Sequence, residues 1–115
     1  MFDFEKLEVY KKAKAFHIDI GKLLANYNLD RTIKDQLKRA SMSITLNIAE
    51  GTSRFSKADQ RNFFVIARGS LMECIAILDI LQENHTIESN LYNTLYLAGE
   101  ELSKMLFAYI KRLQS

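Results

Sequence analysis

Ser43, Asn47, Glu50 and Arg54 are separated by four, three and four residues. A helix places residues at that spacing in one stripe on one face. The stripe carries hydroxyl, amide, carboxylate and guanidinium groups beside Ile44, Leu46 and Ile48. A carboxylate and an amide in apolar surroundings could form an acid–base site. They could equally form a structural network, because such groups cost free energy unless they are paired or wet. Further along, Ser70 and Glu73 continue the polar set, with Arg61 and Arg68 seven residues apart.

The catalytic readings fail one by one. A di-metal site in a helix bundle needs inward Glu residues and Glu-x-x-His pairs, to supply both oxygen and imidazole ligands. Neither His17 nor His85 has a Glu three residues before it. Glu100 and Glu101 read as a solvated face, and no metal ligand set or other cofactor site is assigned. Ser70, in Ala67-Arg68-Gly69-Ser70, lacks the strand-to-helix elbow that activates a serine. Cys74 lies on an apolar seam, where a thiol is inert. His17 reads as a surface or boundary residue, and no glycine-rich phosphate loop is present. The expectation is a protein that is not an enzyme.

Four periodic segments must position these residues. In the first, Val9, Ala13, Phe16, Ile20, Leu23 and Tyr27 step by fours and threes, the seam of an amphipathic helix. The second begins near Thr32, spaced with Asp35 as a capping box, and follows Ile33, Leu37, Ala40, Ile44, Asn47 and Gly51. Gly51 reads as its terminator in the left-handed conformation. Ser56 to Asp59 reads as the next capping box, with Ser56 as N-cap. The third segment, about 57 to 84, carries one seam of Phe64, Ala67, Leu71, Cys74, Leu78 and Leu81. Its second face carries Phe63, Ile66, Ile77 and Ile80. In the fourth, Thr86 is the expected N-cap, and Leu91, Leu95, Ala98, Leu102, Met105 and Tyr109 keep the same rhythm. Short connections between long helices imply an antiparallel up-down-up-down four-helix bundle, one domain over residues 1–115. A third helix apolar nearly all round needs more cover than three neighbours supply, so a homo-oligomer is expected.

Composition narrows the class further. The 115 residues contain no proline and four glycines, and 48% are apolar, enough for a core and for an all-α fold. No apolar run approaches the roughly 18 residues that span a bilayer, so no membrane association is expected. Met1-Phe2-Asp3-Phe4 is no signal peptide, because an acidic residue precedes any apolar segment. The single cysteine excludes an internal disulfide and fits a reducing cytoplasm. Residues 1–72 hold thirteen Lys and Arg against eight Asp and Glu, a net of +5, whereas residues 73–115 are at −3. That asymmetry leans towards an anionic partner for the first three helices.

The polar set then divides. Asn47, Glu50 and Glu73 read as structure: Glu50 pairs with Arg54 or Arg68, and Asn47 fixes helix register. Gly69, in mid-helix, is expected to let another backbone approach, with Ser70 suited to the same contact. Lys38, Arg39, Arg54, Lys57, Arg61 and Arg68 are the candidate phosphate contacts, the last four as a basic ridge. A charge run on a helix is otherwise a solvated face.

Asn47-Ile48-Ala49-Glu50-Gly51, followed by Arg54, Ser56, Phe63, Ala67, Gly69, Ser70 and Glu73, resembles the signature of the 23S rRNA intervening-sequence family. Phe4 to Tyr10 with Ala13, and Gln36 to Ser41 with Ser43 and Ile44, resemble that family's opening segment and the lead into its central motif. The resemblance covers nearly the whole chain. It implies a bacterial cytoplasmic four-helix bundle. Through a relative, the accessory variability protein of diversity-generating retroelements, it also implies a homopentameric ring. RNA or DNA, and a reverse transcriptase or other protein, are the partners it implies.

Overall fold

The computed structural model describes residues 1–114; Ser115, the last residue of the expected domain, lies outside them. The described residues form four α-helices and a short 3-10 turn, with no strand among them. The turn, Asp3–Lys6, precedes α1 (Glu8–Asn26), α2 (Arg31–Thr52), α3 (Lys57–Glu83) and α4 (Ser89–Arg112). In contact, α1 meets α2 and α4, and α3 meets α2 and α4. The assembly measures 44 × 24 × 22 Å, and its long axis matches the ~40 Å length of a 27-residue helix.

The four-three seams are the core. Val9, Ala13, Phe16, Ile20 and Leu23 of α1 are buried, as are all six expected residues of α3. In α4, Leu95 and Leu102 are buried together with Gly99 and Leu106. In α2 the seam drifts. Ile48, not Asn47, takes the fully buried place after Ile44, because a straight helix advances about 20° per heptad against a strict seven-residue repeat. Asn47 is consequently half-buried.

The helix ends differ from the sequence expectation in three places. The N-cap of α2 is Asp30, without a side-chain cap bond, so Thr32 lies inside the first turn and forms no capping box. The N-cap of α4 is Glu88; Thr86 instead gives its backbone N–H to Leu81 O at 2.8 Å. That bond, with His85 N–H to Gln82 O at 3.0 Å and His85 at φ 59°, is the Schellman closure of α3. Gly51 is not left-handed, since no glycine has positive φ. It is buried in the last turn of α2, where a Cβ would lie 3.0 Å from Phe63 Cβ and 3.3 Å from Phe64 Cε2. Gly51 therefore serves helix approach, and Ser53 caps the end. The Ser56 N-cap is present, its Oγ accepting from Asp59 N–H at 3.1 Å.

Candidate nucleic-acid interface

The stripe that began as a candidate active site is a chain of hydroxyls and one amide. Asn47 Nδ2 donates to Ser43 O at 2.8 Å and to Ser43 Oγ at 3.0 Å. Ser43 Oγ shares a hydrogen bond with Ser70 Oγ at 2.9 Å. The amide thus closes on its own helix, and Ser43 carries the link from α2 to α3. Glu50 pairs with Arg54 at 2.9 Å, both side chains well exposed. Glu73 is exposed and stands outside this network. Gly69 is exposed too, and a Cβ there would meet nothing within 4 Å. Within one chain it admits no close neighbour, contrary to expectation. The closely approached mid-helix glycine is Gly99, whose Cβ would fall 2.6 Å from Ile75 Cδ1. Its place four residues after Leu95 and three before Leu102 was the available signal.

The basic candidates separate into two groups. Lys38 and Arg39 are exposed on α2, about 22 Å along the helix from the end that carries Arg54. Lys57, Arg61 and Arg68, spaced four and seven apart, share one face of α3. Arg54 reaches back from the α2–α3 connection, its guanidinium 4.5 Å above the Phe63 ring. Arg61 Nη1 donates to Leu113 O at 3.5 Å, which brings the last turn of α4 beside the first turns of α3. Lys111 and Arg112 lie in that last turn. Sequence reasoning assigned the basic excess to the first 72 residues and missed these two, because only packing joins them to Arg61. Arg112 lies 4.3 Å from the Tyr109 ring centroid, and Tyr109 stacks on Phe64 at 5.1 Å.

Arg68 is different. Its guanidinium lies 5.7 Å from the Phe107 ring centroid, and its Nε is buried without a hydrogen-bond partner. Phe55, between Arg54 and Ser56 in the α2–α3 connection, is fully exposed. This end of the molecule therefore combines several cations with an aromatic ring, Phe55, held in water. Cations recruit phosphates, and an exposed ring offers a face to an unstacked base. Among the described residues, no group of three or more His, Cys, Asp or Glu side chains is gathered to hold a metal ion. No helix among them is long and apolar enough to cross a membrane.

Comparison with known proteins places the chain. The family model of the 23S rRNA-intervening sequence protein matches residues 5–108. The chain belongs to that family. A crystal structure of a protein of unknown function from the S23 ribosomal protein family of Bacteroides thetaiotaomicron VPI-5482 has the same fold, with a TM-score of 0.85. It is 27% identical, over 90% of this chain and 98% of that one. None of the curated proteins matches. The family and the solved neighbour give the fold and assign no activity.

Proposed function

We propose that this family member is a non-enzymatic, cytoplasmic, single-domain antiparallel bundle that assembles with itself, as a pentamer, and binds nucleic acid. The antiparallel order is supported by paired contacts: Gly51 against Phe64, Ser43 with Ser70, Tyr27 with Glu88 and Lys12 with Glu101. Assembly is supported by the second face of α3. Phe63, Ile66, Ser70, Glu73, Ile77 and Ile80 follow three-four spacing, and Ile66 and Ile80 are 51% and 56% exposed. Leu46 of α2, the helix bonded to Ser70 through Ser43, is 58% exposed. Exposed apolar residues gathered in this way mark an interface.

The observation that carries nucleic-acid binding is the fully exposed Phe55 beside Arg54, Lys57 and Arg61. Such a ring stacks on a base of a single strand or loop while the cations meet phosphates. The family's description, 23S rRNA-intervening sequence protein, makes RNA the first probe. Binding of a single-stranded RNA and of duplex DNA should be measured across a salt series. Affinity should fall steeply with salt, with a log–log slope of about −0.7 per phosphate neutralised on the single strand. Arg61→Gln should reduce that slope by about 0.7, and Phe55→Ala should cost about 1–3 kcal/mol on single strands. Undetectable binding at low salt would sink the reading.

The exposed stripe of α3 favours one other reading, a scaffold that docks another protein, with the basic end steering the encounter. Co-purification of a single protein partner free of nucleic acid would select it.

A further inference from the structure

A cleft of about 280 Å³ opens between α1 and α2, apart from the Ser43–Ser70 link and from the cations around Phe55. Its walls include the buried Ile20 and Leu24 together with Ala25. Lys34, Lys38 and the His17 imidazole complete it. Two features of the polar side point to a ligand. Lys34 and Lys38 are like charges four residues apart on one helix, a mildly unfavourable arrangement. Neither has an ion pair among the described residues.

The second feature is the anchoring of His17. Ser41 is fully buried, and its hydroxyl donates to Lys38 O at 3.1 Å. The same hydroxyl lies 2.7 Å from His17 Nδ1 and is hydrogen-bonded to the ring. Ser41 thereby holds the ring in place from behind. Nε2 is the ring atom left over, with no hydrogen bond inside the described chain.

We propose that this cleft binds a small monocarboxylate with a short apolar tail. The carboxylate sits between Lys34 and Lys38, and the tail runs along Ile20, Leu24 and Ala25. The cleft's volume of about 280 Å³ has room for a chain the size of hexanoate. An inorganic anion would leave the apolar wall wet, and a neutral alcohol would leave the lysines repelling each other. The proposal does not rest on nucleic-acid binding.

The test is a titration of the full-length, isotopically labelled protein with hexanoate, followed by NMR. Saturable shifts are expected at the His17 ring and at the Ile20 and Leu24 methyls. Hexanol and inorganic phosphate should each bind at least about tenfold more weakly. The Lys34→Gln/Lys38→Gln double variant should lose about tenfold or more. Gly21→Leu should abolish binding with the fold retained: a Cβ at Gly21 meets nothing within 4 Å, Leu is the better helix former, and its side chain enters the cleft. Absence of saturable shifts, hexanol or phosphate binding as tightly as hexanoate, or undiminished binding by Gly21→Leu would each overturn the proposal.

Discussion

Cys74 has no exposed surface, and burial, reinforced by the Glu73 carboxylate, pushes its thiol from an ordinary 9.0 up to about 12. Its folded-state pKa is raised, so the favourable contribution is complete below about 9 and is lost as pH climbs through about 12. Two outcomes follow. A thiol reagent at pH 8 should leave the folded protein unlabelled and label it fully in denaturant, and alkaline melting temperatures should decline from about pH 9 upward in the wild type more than in Cys74→Ala. The glycines separate by what surrounds them. Gly51→Ala should destabilise by about 1–3 kcal/mol, since its Cβ would press on the Cβ of Phe63 and the ring of Phe64. Gly21→Ala should stabilise by up to about 1 kcal/mol, because the helix gains propensity and nothing is displaced. Chemical denaturation of the two variants decides both signs.

The ends of α3 illustrate how an element is closed. At its start, Ser56 supplies a side-chain oxygen to a free N–H, a cap worth about 1 kcal/mol. At its end, the left-handed turn falls on His85, not on a glycine. A β-carbon in that region costs roughly 1–2 kcal/mol, part of which glycine returns to the unfolded chain. His85→Gly should therefore stabilise by about 0.5–1 kcal/mol, read as a rise in melting temperature of roughly 2–6 °C. An unchanged or lower melting temperature would show that the imidazole contributes something else at that turn.

At the scale of the molecule, three helices do not cover α3. Its inner seam is sealed, while Ile66 and Ile80 remain half in water on the opposite side. Light scattering should find a homo-oligomer, five-fold by our proposal, and a stable species at 13.3 kDa would contradict it. The Ile66→Glu/Ile80→Glu double variant should dissociate that assembly yet keep its helical circular dichroism, because neither side chain belongs to the buried core. Loss of helix along with assembly would mean that the chain cannot fold alone.

The chain's own pattern determined the class, the four helices and most of the core. Hydrophobic spacing is a local property that any helix must express, so the α3 seam from Phe64 to Leu81 could be read residue by residue. The Ser56 cap was legible for the same reason, since a cap needs only its own first turn. Tertiary structure alone decided what depends on a neighbour. It made Gly51 a contact and left Gly69 open. It put Ile48 in the core ahead of Asn47, and it brought Lys111 and Arg112 to the arginines of α3. Periodicity says which face of a helix is apolar; only the packed partner says how closely that face is approached. For the same reason the stripe of Ser43, Asn47 and Ser70 became a structural link when the helices met, while Phe55 was left in water.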